Sequence, residues 1–253
     1  MSNVWTVLLV VAAHAALLWL VYEKLTRALQ DLRREIRRHS DNTIMQLESL
    51  MSVHAEIQPM HLLPRSRDWA ASPDFLAVLI GLAHRRRPEI VVECSSGYST
   101  LVLAATLRNL GKGRVMSLEH EPEYARKTRE MLELHGLTDW ATVIDAPLVP
   151  LSIDDWSGRW YDTSGLPQTK IIDMLVIDGP PSGTGALARY PAVPHLYARL
   201  NADAVIVLDD ADRVDETRAA AQWTSQHPGL QILSTLPCEK GCLTLQKKDG
   251  DAL

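Results

Sequence analysis

The stretch Ile90-Val91-Val92-Glu93-Cys94-Ser95-Ser96-Gly97-Tyr98-Ser99-Thr100 decides the fold. An apolar run ends in an acid, small residues follow, and a helical pattern begins at Thr100. Strand, tight turn and helix in that order open an α/β unit. Small residues let backbone amides approach a ligand, and Gly97 permits conformations that other residues resist. With one glycine, the turn is not the G-x-G-x-x-G fingerprint, which counts against a nicotinamide dehydrogenase.

Downstream, the same alternation continues. Strand-like runs lie at Arg114–Glu119, Ala141–Asp145, Ile172–Asp178 and Ala204–Asp209. Helix-like stretches lie at Thr100–Leu110, Pro122–His135, Ala186–Leu200 and Asp212–Gln226. Upstream, Ser72-Pro73-Asp74 opens a further helix, with a capping Ser and a Pro at the first helical position. The chain closes with Leu230–Leu236 and Gly241–Gln246, joined by Pro237-Cys238-Glu239-Lys240, a loop short enough to require a hairpin. The expectation is an α/β, Rossmann-like, doubly wound sheet of seven mostly parallel strands with a terminal antiparallel strand.

The strand ends carry Glu93, Glu119, Asp145, Asp178 and Asp209. Ligands of open α/β sheets bind outside the carboxyl ends of the strands, so acids there are placed to touch one. Glu119 stands about 25 residues after the first turn, a position suited to ribose hydroxyls. Asp178, Asp209 and Asp210 are three carboxylates able to hold a hard divalent cation. The pair Asp209-Asp210 serves equally as a cap for the helix that follows. Pro180 to Gly185 suits either a gate over the acceptor or a plain connector. Trp156, Trp160 and Tyr161 suit an acceptor pocket or the core.

The opposite end of the chain is apolar. Val4 to Tyr22 holds nineteen residues without formal charge, long enough for the ~30 Å core of a bilayer. Trp5, Trp19 and Tyr22 stand near its ends, where interfacial aromatics belong. A cleaved signal peptide would need a basic residue before the run and a small-residue site after it, and Glu23-Lys24 follow instead. Six basic residues against three acids between Glu23 and Arg38 place the N-terminus outside and the main domain in the cytoplasm. Leu25, Leu29, Leu32 and Ile36 form a stripe suited to pairing two anchored copies, or to lying on the domain or on lipid headgroups. The expected organisation is an anchor at 1–22, a membrane-proximal helix at 23–60 and a catalytic domain at 61–253. A net charge of -5 gives no reason to expect nucleic acid. Three cysteines, Cys94, Cys238 and Cys242, fit reduced thiols better than a disulfide framework.

Five segments taken together carry a family resemblance: E-C-S-S-G-Y-S-T from Glu93, S-L-E-H-E-P-E-Y from Ser117, I-D-A-P-L from Ile144, D-M-L-V-I-D-G-P-P from Asp173 and V-I-V-L-D-D-A-D-R from Val205. In order and spacing they resemble the class I methyltransferases that use S-adenosylmethionine, nearest the branch of small-molecule O-methyltransferases similar to catechol O-methyltransferase. The resemblance spans roughly Leu63 to Lys247. It implies that Glu93, Ser95, Gly97 and Ser99 surround the methionine part of the cofactor. Glu119 would hold the ribose with His120 beside the adenine, and Asp145 and Ala146 would flank that ring. Asp178 and Tyr190 are the implied catalytic residues, with Asp178, Asp209 and Asp210 the implied ligands of a cation such as Mg2+. The sequence departs from the family at Ser95, where a glycine is usual, and in Gly179-Pro180-Pro181-Ser182-Gly183, which lacks the lysine base of the metal-dependent members. The implied activity is O-methylation of a small or lipid-linked hydroxylated acceptor. A membrane-tethered scaffold without activity remains the alternative. An oxidoreductase or epimerase is disfavoured by the single-glycine turn and the terminal hairpin.

Overall fold

The computed structural model describes residues 2–63, 70–167, 172–236 and 238–248. It divides into two compact units, residues 1–46 and 47–253. The first is helix, part of a single element, α1, that runs unbroken over Ser2–Ile57. The helix continues through residue 22 without interruption. The large apolar side chains between Val4 and Tyr22 are exposed, Leu9 by 71% and Leu20 by 49%. Leu25, Leu29, Leu32 and Ile36 are likewise exposed.

The second unit begins inside the last turns of α1. Val53 and Ile57 are buried in its core. Helix α2 (Pro73–Arg86) starts with Pro73 in its first turn, as expected. Ser72 makes no side-chain cap bond. Asp74 instead accepts from the amides of Phe75 and Glu239, at 2.8 and 2.7 Å.

Then follow β1 (Ile90–Cys94), α3 (Tyr98–Leu110), β2 (Arg114–Glu119), α4 (Pro122–Leu134) and β3 (Ala141–Asp145). Next come β4 (Leu148–Ile153), β5 (Trp156–Tyr161), β6 (Ile172–Ile177), α5 (Ala192–Leu196) and β7 (Leu200–Asp209). The chain ends in α6 (Val214–Gln226), β8 (Leu230–Leu236) and β9 (Cys242–Lys247). Seven strands form one sheet in the order β3-β2-β1-β6-β7-β9-β8, with β9 antiparallel to both neighbours. The doubly wound sheet with its antiparallel strand is the expected one.

Alternate residues of each strand supply opposite faces, as the period of two requires. Val91, Val115, Met174 and Val205 pack towards α2, α3 and α4. Val92, Leu118, Leu175 and Ile206 pack on the other side with α6 and the aromatic end of β5. Burial on both faces explains why the parallel strands are near-continuous apolar runs.

Two local expectations fail. The helix expected over Ala186–Leu200 shrinks to Ala192–Leu196, followed by a 3-10 turn at Tyr197–Arg199. Pro191 accounts for the late start, because it disfavours helix in the residue before it, while Pro194 sits in the first turn of the short helix, where no amide donor is needed. The second failure is an omission. Strands β4 and β5 form a separate antiparallel hairpin, turned at Asp154-Asp155, with Asp154 at φ +49°. Asp tolerates that left-handed conformation, and a two-residue acidic loop between strand-like runs was the available signal.

Candidate active site

The sheet order reverses between β1 and β6, where the chain winds outward in both directions. Cys94 pairs with Ile177 there, so the loops after both strands open onto one crevice. A cavity of about 820 Å³ occupies it, within the ~300–1,000 Å³ usual for small-molecule sites. Ser95, Gly97, Ser99, Glu119, His120 and Asp178 all line it. Six expected residues from three strand ends are thus brought together.

The first turn is held from below. Glu93 is wholly buried and does not line the cavity. Its Oε2 accepts from Thr100 Oγ1 and Ser117 Oγ, both at 2.6 Å. Burial pushes this carboxyl above its ordinary range, against the hydrogen bonds from Ser117, Ser99 and Thr100. Glu93 therefore braces the turn and the start of α3 rather than facing a ligand. Gly97 has φ +148°, and a Cβ there would meet nothing within 4 Å, so the turn leaves open space above it. Ser95 takes φ +132°. It adopts a glycine-like conformation at the position where the family usually has glycine.

Glu119 ends β2. Burial alone would raise its carboxyl, but hydrogen bonds from His120, the Glu121 amide and Ser96 outweigh it and hold it below the ordinary range. The Ser96 hydroxyl donates to Oε2 at 2.8 Å, and the Glu121 amide to Oε1 at 3.0 Å. An ionised carboxylate so fixed is an acceptor for vicinal hydroxyls.

The other carboxylates form a second cluster. Ligand atoms of Asp178, Asp209 and Asp210 lie within 4.8 Å of one another. Burial raises Asp178 to about 6, with Arg189 opposing and Asp210 adding to the rise. Burial, then Asp178 and Asp210, raise Asp209 to about 8. Asp209 Oδ1 and Asp210 Oδ1 are buried without hydrogen-bond partners among the described residues. Unpartnered carboxylate oxygens at one point suit a hard divalent cation, so the residues fit the metal the family implies. The capping alternative lapses, because the cap position of α6 is Arg213.

Besides Glu93, Asp209 and Asp210, three further expected residues lie outside the cavity lining. Asp145 is largely exposed and paired with Arg129 at 2.7 Å. Ala146 is buried, its amide donating to the Glu119 carbonyl at 2.7 Å. Tyr190 is buried with its hydroxyl 2.9 Å from both Asp154 and Gln226, so its reactive atom faces the hairpin turn and α6. A catalytic part for Tyr190 has no support in this geometry. Conversely, Ser96, Thr128 and Tyr161 line the cavity without having been singled out for the cofactor. Ser96 and Thr128 left no signal beyond ordinary helix and turn composition, whereas Tyr161, which the sequence suits to an acceptor pocket or the core, reaches the cavity from the missed hairpin.

Comparison with known proteins agrees with this arrangement. Residues 92–211 match the family model described as a methyltransferase domain. The catechol O-methyltransferase of Mycobacterium tuberculosis is 29% identical over 170 residues, covering 66% of this chain and 73% of that one. Among solved structures, the SAH-bound methyltransferase of Podospora anserina shares the fold with TM-score 0.54 at 18% identity, over 81% of this chain and 88% of that one. The O-methyltransferase TomG of Streptomyces achromogenes, solved with SAM, shares it with TM-score 0.53 at 16% identity, over 81% and 89%.

Proposed function

Because this chain belongs to the class I, S-adenosylmethionine-dependent methyltransferases, we propose that it methylates a hydroxyl oxygen of a small or membrane-associated acceptor. One observation carries the reading: a single cavity joins the open turn at Gly97, the ionised Glu119 and the raised Asp178. Two carboxylates pushed in opposite directions within one site take different parts.

Bound S-adenosylmethionine supplies an electrophilic methyl on a sulfonium sulfur. The residues of this chain supply position and a proton path. The amides of the first turn and the start of α3 would hold the methionine carboxylate. Glu119 would accept hydrogen bonds from the ribose. Acting without a metal, Asp178, titrating near 6, would take the proton of the acceptor hydroxyl; the alternative is a metal held by the carboxylate cluster. Asp178, Asp209 and Asp210 would hold a cation such as Mg2+, which there lowers the pKa of a bound hydroxyl. The Mycobacterium tuberculosis relative, named for a catechol acceptor, supports oxygen as the nucleophile.

The exposed apolar turns of α1 support single-pass anchoring, with the basic flank and the catalytic unit on the cytoplasmic side. An anchored enzyme suits a lipid-linked acceptor. The test is calorimetry on the full chain in detergent. The wild type binds S-adenosylmethionine, and Glu119→Ala weakens binding at least tenfold. No binding by the wild type would end the proposal.

A further inference from the structure

Tyr161 closes the hairpin at the end of β5, and its side chain is 2% exposed. The ring packs edge-on against Trp160 and His120, with centroids 5.5 and 5.7 Å apart. Those contacts fix where its hydroxyl points. The hydroxyl lies against Gly179, the residue directly after Asp178, where an added Cβ would collide with it. Tyr161 also lines the cavity.

The hydroxyl is enclosed yet has no hydrogen-bond partner among the described residues. Buried polar groups are paired in the great majority of cases, and an unpaired one calls for an explanation such as an absent ligand. Burial raises the phenol well above its ordinary pKa, and the neighbouring Cys94 thiol and the Glu119 carboxylate add to the rise. The group therefore stays neutral, keeping one donor and its acceptor lone pairs. Its surroundings fix what it can meet. Its ring rests on His120, the residue after Glu119, and its hydroxyl on Gly179, the residue after Asp178, so it stands between the ends of β2 and β6. A group between those two acids faces the part of the cofactor that joins ribose to sulfonium.

We propose that the Tyr161 hydroxyl hydrogen-bonds bound S-adenosylmethionine between the ribose and the sulfonium, and so sets where the transferring methyl sits. The proposal rests on the methyltransferase reading above. It assigns the β4–β5 hairpin a purpose: to deliver one phenol beneath the cofactor on a rigid aromatic support. The unpaired hydroxyl costs stability in the free enzyme, and cofactor binding recovers it.

The test is Tyr161→Phe in the full chain, which keeps the ring and deletes the oxygen. Two readouts are expected to move in opposite senses. The dissociation constant for S-adenosylmethionine rises about tenfold by calorimetry. The melting temperature without cofactor stays level or rises, because an unpaired buried polar atom is gone. A merely structural tyrosine would lower that melting temperature, and this result overturns the proposal. An unchanged dissociation constant in the variant also overturns it while leaving the methyltransferase reading intact. A wild-type chain that fails to bind the cofactor overturns both.

Discussion

The Arg189 guanidinium lies 2.7 Å from Asp210 Oδ2 and reaches Asp178 Oδ1 at 3.3 Å, joining the loops that follow β6 and β7. It also donates to the Asp209 carbonyl at 2.9 Å. One buried cation therefore pairs with two acids of the carboxylate cluster and with the backbone of the third. Desolvation works against its charge, but Asp178, Asp210 and Glu216 more than compensate and raise its pKa.

Removing that charge leaves buried carboxylates uncompensated. Arg189→Met is expected to cost about 3–5 kcal/mol of unfolding free energy in urea titrations. Arg213, the other partner of Asp210 at 2.9 Å, is 43% exposed. Solvent screens it, so Arg213→Ala should cost about 1 kcal/mol or less. Equal losses from the two variants would contradict this ranking.

Ser95 stores backbone strain at φ +132°. Non-glycine residues in such regions cost about 1–3 kcal/mol. Glycine gives back about 0.4–1 kcal/mol through a freer unfolded chain. Ser95→Gly should therefore stabilise the protein by about 1 kcal/mol, read from thermal unfolding. A lower melting temperature would show that the Ser95 side chain holds the turn by contacts worth more than its strain.

The buried carboxylates set a pH dependence whose sign follows from their direction. Asp209 titrates near 8 in the folded chain against an ordinary value of 3.8. Between those values the native state holds a proton that the unfolded chain has lost. Its contribution to stability is present below about 4 and lost as the pH rises through about 8. With a chelator present, the melting temperature should fall from about pH 5 to 8. Asp209→Asn, which cannot ionise, should flatten that fall and raise stability at the alkaline end. A wild-type stability that climbs across this window would refute the assignment of Asp209 as a protonated acid.

Much of this molecule was legible before folding. Short apolar runs gave the strands, the acids at their ends located the crevice, and the short link after Leu236 required the hairpin that reverses β9. These are local facts: period, turn length and the residue at a strand end each depend on a few neighbours. Which elements meet is not local. Arg189 lies eleven residues beyond Asp178 in a segment without regular helix, and only packing shows its guanidinium entering the carboxylate cluster. The same packing turns the Tyr190 hydroxyl away towards Asp154 and Gln226 and brings Tyr161, from an unpredicted hairpin, to the cavity beside Gly179. Sequence periodicity sets the face a residue takes on its own element. Only the long-range burial of one element against another decides what that face touches.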